Sequence, residues 1–421
     1  MYSKQNKVLV MHTGARDHYE VAVALHEGGQ LASLVTNGYA KQKFLVLESI
    51  MRDLPGMSAF RRRRRQEIPD CKVISHLGYE IASKVIHRLW PLCYSEIYAW
   101  QELKIAKAAA RFAERSGCNA VLSYNYCAFP LFKLLDGKGI KRLLFQCHPH
   151  PLTVKSILSS EIERNPRFRK TLLFEKEMSW GDSYVAQLSS ESQMADGIIV
   201  ASAFTKKSLV ENGIHEEKIR VVAYGSERQW PKTAEIANEK FQQVKKFRIL
   251  FVGQPGQRKG VSYLLDACDA LDMRGAQLRI CGRGLDPDPA LLEGSRNWLV
   301  IRRNLNDAEL AREFQNADVF VLPSLVEGFG LALIEAMSFG VPVITTPNGG
   351  GPDLIQHGRN GFIVPIRDST SLAEILSVLR EDPKLCQQIG SAAIGTARHF
   401  TWRRFRAGVR VAVDDLLDKM A

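Results

Sequence analysis

The sequence predicts an α/β protein built from two doubly wound parallel sheets. Three observations lead there. The chain has 421 residues, and at about 100–200 residues per domain that length divides into two domains. Short apolar runs rich in Val, Ile and Leu alternate with helical stretches, as parallel strands covered on both faces require. The opening sequence strand, glycine-containing loop, helix occurs twice, as VLVMHTGARDHYEVAVALHEGG from residue 8 and as ILFVGQPGQRKGVSYLLDACDAL from residue 249.

In the first half the strands are KVLVMH (7–12), AVLSY (120–124), RLLFQ (142–146) and GIIVAS (197–202). In the second they are RILFVG (248–253), LRICG (278–282), VFVLPS (319–324) and VPVITT (341–346). The polar stretch 226–247, which contains Pro231, is the expected boundary. At the end, apolar positions 402, 405, 409, 412, 413, 416 and 420 recur at helical spacing behind Thr401, a residue suited to cap a helix N-terminus.

Composition narrows the function. Apolar residues make up 45% and charged residues 24%, the balance of a soluble globular protein. Without an apolar run long enough to span a bilayer, and with a start that enters a strand at once, the expected location is cytoplasmic. The eight cysteines form no Cys-x-x-Cys pair, which fits a reducing compartment. The net charge of +12 favours polyanionic partners. No recognisable nucleic-acid module accompanies it, so nucleic acid is not an expected partner. The run Arg61–Arg65 is either a solvated loop or a contact with an anionic membrane surface at the inner face.

The segment PSLVEGFGLALIEAMSFGVPVI (323–344) places two carboxylates in an apolar setting, where a charge needs a partner. VFVLPS ends as a strand at Pro323. LALIEAMSFG starts as a helix near Gly330 and closes at Gly340, ahead of Pro342. The loop between them lies at the carboxyl end of a parallel strand, where open α/β sheets bind ligands. Gly328 and Gly330 let a ligand approach the backbone, and the first helical turn offers N–H groups to a phosphate. Glu335 lies about 7–8 Å along the helix axis from Gly330, within reach of a hydroxyl-bearing group attached to such a phosphate. In GQPGQRKG (253–260), Arg258 and Lys259 stand in a glycine loop after a strand, suited to clamp a diphosphate.

These motifs resemble the donor-site signature of retaining GT-B glycosyltransferases, specifically glycosyltransferase family 4. The resemblance runs through PSLVEGFGLALIEAMSFGVPVITTPNGGGPDLI, HGRNGFIVP, ADGIIVASAFTKKSLVENG, GQPGQRKGVSYLLDA, LRICGRG and FTW, and covers most of residues 195–405. It implies two Rossmann-like domains facing across a cleft. Residues 1–225 with 400–421 form the acceptor side and residues 226–399 the nucleotide-sugar side, with the last helix crossing back to the first domain. It implies a catalytic Glu327 facing the donor sugar and a Glu335 accepting from the ribose hydroxyls. Backbone contacts would come from Gly328, Phe329, Gly330 and Leu331, and a phosphate contact from Gly14. A histidine after the LLFQ strand would face the sugar, either His148 or its rival His150. The family sets an arginine directly after the first glycine of the basic loop; here Gln254 stands there, and Arg258 is the substitute.

The implied reaction moves a hexose-type sugar from a nucleotide diphosphate sugar, a UDP- or GDP-sugar, to a glycan or lipid-linked acceptor with retention. No other cofactor is implied. No Asp-x-Asp divalent-ion anchor is expected anywhere in the chain, so the expected mechanism is metal-independent. An epimerase of the same architecture and a non-catalytic nucleotide-sugar or membrane-binding module are the alternatives.

Overall fold

A computed structural model describes residues 6–42, 63–80, 94–226, 246–282 and 296–420. The first sheet contains β1 Val8–His12, β2 Leu31–Thr36, β3 Val73–Ser75, β4 Ala120–Tyr124, β5 Lys141–Gln146, β6 Gly197–Val200 and β7 Ile219–Val221, in the order β3-β2-β1-β4-β5-β6-β7. The second contains β8 Phe247–Val252, β9 Ala276–Gly282, β10 Leu299–Arg303, β11 Val319–Leu322, β12 Val343–Thr345 and β13 Phe362–Ile363, in the order β10-β9-β8-β11-β12-β13. All the pairings are parallel. Each of the eight runs picked out in the sequence holds a strand, and the central ones are buried along their length, as VLVMH, AVLSY and VFVL show.

Strand order decides where ligands bind. Chain order reverses direction between β1 and β4 in the first sheet and between β8 and β11 in the second. At such a reversal the connecting helices leave to opposite faces and open a crevice at the carboxyl ends of the strands. The loops after β1, β4, β8 and β11 are therefore the ones positioned to hold a ligand.

The last helix, Trp402–Asp418, ties the chain end to the first sheet. Thr401 caps it by accepting from the Arg404 N–H at 3.2 Å. Its buried face is Trp402, Phe405, Val409, Ala412, Val413, Leu416 and Leu417. Arg406 reaches the fully buried Glu20 at 2.8 Å, and Arg410 reaches Glu27 at 2.8 Å, both on the Glu20–Glu27 helix or its start. Among the described residues no helix is long and apolar enough to cross a membrane.

The described part of the arginine run is engaged by the protein itself. Arg63 pairs with Glu80 at 2.9 Å, Arg64 with Asp70 at 3.5 Å, and Arg65 with Glu20 at 2.5 Å and Glu67 at 2.7 Å. Arg61 and Arg62 lie outside the described residues, as does most of the expected boundary 226–247.

Candidate active site

The two sheets face each other across a cleft of about 250 Å³, lined by Arg16, Tyr126, His148, Pro149, Val154, Glu175, Lys176, Glu177, Arg258, Val326 and Glu327. Each wall is built from loops at strand carboxyl ends. Arg16 follows β1, Tyr126 follows β4 and His148 follows β5, while Arg258 follows β8 and Glu327 follows β11. Glu175, Lys176 and Glu177 come from the short helices between β5 and β6.

On the C-terminal wall the two basic residues converge on one acid. Lys259 Nζ bonds Glu327 Oε2. Arg258 Nη1 lies 3.5 Å from the same oxygen and 3.1 Å from the Val326 carbonyl oxygen. Arg258 Nε also crosses the cleft to Glu175 at 2.8 Å. Glu327 is thus a carboxylate gripped by both members of the GQPGQRKG pair, with only 12% of its side chain exposed. Burial, and then the neighbouring Arg258, pull the Lys259 ammonium well below its ordinary pKa, while Glu175 opposes them; the touching Glu327 acts in the same direction as Glu175. Gln254 is exposed and Arg258 occupies the cleft, so the arginine of this loop is the later one.

The geometry separates the two histidines. His148 lines the cleft, its ring 5.5 Å from that of Tyr126 in an edge arrangement. Burial, and then Arg258, Arg16, Lys259 and Lys176, hold its pKa down to about 3, so the imidazole is neutral at physiological pH. His150 is 1% exposed and caps the Pro151–Arg164 helix, its Nδ1 accepting from the Leu152 N–H at 3.3 Å. It holds a helix end, and the cleft position belongs to His148.

The glycine segment contains a result that the sequence reading does not anticipate. A Cβ on Gly328 would stand 2.0 Å from the Cys147 carbonyl oxygen of the facing unit. The Gly328 carbonyl oxygen also accepts from Ser202 Oγ at 2.6 Å. In this structure Gly328 is therefore where the two units touch backbone to backbone. Phe329 is buried, with its ring 5.8 Å from Tyr224 of the first unit. Gly330, at φ 89°, occupies the left-handed conformation that starts the Leu331–Ser338 helix, which glycine adopts at least cost. Leu331 is exposed at the helix start, and Glu335 lies half-buried one turn on, outside the lining of this cleft. Gly14 also lies outside that lining. It turns at φ 70°, and its N–H donates to Asn37 Oδ1 at 2.7 Å.

Arg16, Tyr126, Glu175, Lys176 and Glu177 escape the sequence reading. Arg16 alone has a local signal, since it occupies the same strand–loop–helix position as Arg258. Behind it, Asp17, His18 and Tyr19 take φ values of 37°, 52° and 65°. Left-handed backbone costs a residue other than glycine about 1–2 kcal/mol, and such strain concentrates at functional sites.

The expectation that the chain holds no Asp-x-Asp step needs a correction from the sequence itself. Asp286-Pro287-Asp288 is an Asp-x-Asp step, and it lies outside the described residues. Among the described residues no group of three or more His, Cys, Asp or Glu side chains is placed to hold a metal ion.

The chain is similar to known proteins in part of its sequence and in its fold. Residues 232–396 match the family of glycosyl transferases group 1. A D-inositol 3-phosphate glycosyltransferase of Arthrobacter sp. (strain FB24) is 33% identical over 187 residues, 41% of this chain and 44% of that protein. The amylovoran biosynthesis glycosyltransferase AmsK of Erwinia amylovora is 30% identical over 199 residues, 42% of this chain and 46% of that protein. The chain therefore spans about half the length of the curated relatives it matches. Over nearly its whole length it superposes on a sucrose-phosphate synthase from Thermosynechococcus elongatus, with a TM-score of 0.66 at 17% identity, covering 99% of this chain and 100% of the other. HepE of Anabaena, solved in complex with UDP-glucose, superposes with a TM-score of 0.60 at 17% identity, covering 97% and 99%. The fold is GT-B, and residues 232–396 are similar to the glycosyl transferases group 1 family.

Proposed function

We propose that the chain transfers a hexose-type sugar from a nucleoside diphosphate sugar to a glycan or lipid-linked acceptor held on the N-terminal wall. The observation that carries this is the cluster of Lys259, Arg258, Glu327 and His148 at the crevice where both sheets reverse their strand order. The family match of residues 232–396 and the UDP-glucose in the HepE structure support a nucleotide-sugar donor.

The chemistry follows from charge. Breaking the anomeric C–O bond leaves negative charge on the diphosphate, and fixed cations in a cleft stabilise it as it grows. Lys259 and Arg258 supply such cations, and the start of the Leu331–Ser338 helix adds N–H dipoles. The diphosphate competes with Glu327 for Lys259, and the displaced carboxylate turns towards the sugar. The acceptor hydroxyl attacks the anomeric carbon on the face the phosphate leaves, and its proton passes to a phosphate oxygen, so configuration is retained. His148, being neutral, hydrogen-bonds the sugar and is not the proton donor. Glu335 takes the ribose hydroxyls, Gly328 to Leu331 present backbone, and Gly14 turns the facing loop toward the phosphates. The cations in the cleft make a metal unnecessary to this step.

A panel of UDP-, GDP- and ADP-sugars, scored by thermal shift and nucleotide release, tests the reading. One donor is expected to raise the melting temperature and to release its nucleotide faster when acceptor is added. Release without acceptor, with interconversion of the donor sugar, favours an epimerase. Stabilisation by NAD(H) alone refutes the proposal.

A further inference from the structure

Arg16 and Lys176 are cations of the same cleft that the transfer step leaves unused. Both belong to the N-terminal wall, opposite Arg258. Among the described residues neither makes a hydrogen bond or an ion pair to a carboxylate, whereas Arg258 and Lys259 are both paired. The Lys176 ammonium sits 4.5 Å from the ring centre of Tyr98, 4.8 Å from that of Trp180 and 5.4 Å from that of Tyr126. Ring faces attract a cation through their quadrupole but take up none of its N–H donors as strong bonds. Burial, and then Arg16, pull Lys176 below its ordinary pKa, with Glu102 and Glu177 opposing. Glu102 and Glu177 act on Lys176 without a direct bond to it, and two cations held in a poorly hydrated wall with no carboxylate in hydrogen-bonding contact are stabilised by an anion that reaches both.

Charge matching says which anion this is. The diphosphate of a nucleotide sugar brings two negative charges, and Arg258 with Lys259 matches them on the C-terminal wall. Arg16 and Lys176 are surplus to the donor. We propose that these two residues form an anion subsite for the acceptor, and that the acceptor is a phosphate ester whose phosphate they hold while its hydroxyl faces the anomeric carbon. This rests on the donor reading above and adds to it the chemical class of the acceptor. The phosphate can belong to a soluble sugar phosphate or to a lipid carrier, and Arg16 and Lys176 recognise the same group in both.

Calorimetric titration of the full chain tests this with glucose 6-phosphate as the soluble probe and farnesyl diphosphate as the lipid one. Glucose and glucuronate serve as uncharged and carboxylate controls. Each is titrated with and without saturating UDP, so that a failure of UDP to bind counts against the donor reading alone. At least one phosphate ester is expected to bind in both conditions, with neither control binding. Arg16→Gln and Lys176→Met, the latter keeping an apolar chain among the rings, are expected to weaken that binding about tenfold or more while leaving UDP affinity within about twofold. Lys259→Ala is expected to do the reverse. Circular dichroism establishes that each variant is folded. The proposal is overturned if no phosphate ester binds, if glucuronate binds equally well, or if UDP displaces the ester. It is also overturned if Arg16→Gln weakens UDP in place of the ester.

Discussion

Replacing Glu327 by Gln should separate donor binding from transfer. In the structure Glu327 occupies Lys259 directly and Arg258 at 3.5 Å, with its side chain 12% exposed. A diphosphate must displace that carboxylate before it can use the same cations. Glutamine keeps the shape and removes the charge, so the competitor is lost. Hydrogen bonds to charged groups contribute about 1.5–3 kcal/mol; with partial exposure and compensating hydration we take about 1–2 kcal/mol for the released competition. That corresponds to roughly fivefold to thirtyfold tighter binding of UDP or GDP. Transfer moves the other way, because the carboxylate that turns toward the sugar is gone; a fall of at least about tenfold is expected. Isothermal titration with the nucleoside diphosphate reads the first number, and single-turnover transfer reads the second. Added to Lys259→Ala, the same substitution should gain clearly less, since the directly bonded cation is absent and only Arg258 at 3.5 Å stays contested. Weaker or unaltered nucleotide binding in Glu327→Gln, with the fold intact, refutes the competition. Transfer at the wild-type rate removes Glu327 from the mechanism.

Other perturbations test the frame around the site. Glu161, fully buried on the first unit, accepts from Arg367 Nε at 2.7 Å, Gln257 Nε2 at 2.6 Å and Tyr263 Oη at 2.9 Å on the second. Arg367→Ala should cost about 3 kcal/mol in urea unfolding, the low end of the range for breaking a buried pair. Paired with Glu161→Gln it should cost clearly less than the sum; additivity denies the link. Gly328→Ala places a methyl on the Cys147 carbonyl oxygen and should cost about 1–3 kcal/mol as overpacking, with a parallel loss of nucleotide affinity; a neutral effect on the urea midpoint argues against the close approach. Burial, and then Glu191, raise the pKa of Glu102 to about 8. A raised carboxylate contributes stability below its unfolded pKa that is lost as pH climbs through the folded value, so wild type should lose about 1–2 kcal/mol relative to Glu102→Gln between pH 6.5 and 8. Equal pH profiles in urea titrations of the two proteins count against the buried, protonated carboxyl. Because Arg63, Arg64 and Arg65 are ion-paired within the protein, Ala at all three should lower stability without changing sedimentation with anionic liposomes; lost sedimentation assigns them to the membrane.

How much of this was legible depends on whether a signal is local in the chain. Central strands are, because burial on both faces writes a continuous apolar run, as in VLVMH and VFVL. Edge strands are not: LVIRR of β10 is half exposed and ends in two arginines, and β13 has only Phe362 and Ile363. The C-terminal wall was readable because Arg258, Lys259 and Glu327 each stand within a few residues of a strand end. Apart from His148, the N-terminal wall was not, because Arg16, Tyr126 and Lys176 come from three distant segments that only the order β1-β4-β5 brings together. Gly328 shows the limit within a legible motif. Sequence supplies the need for a bare backbone there, and two partners can create that need, a ligand or another stretch of chain. The structure fills it with the Cys147 carbonyl, so the residue that appeared to open the site to a donor is also the point on which the two halves close. That contact makes donor affinity and inter-unit packing properties of one loop, which is why a single methyl at residue 328 should disturb both.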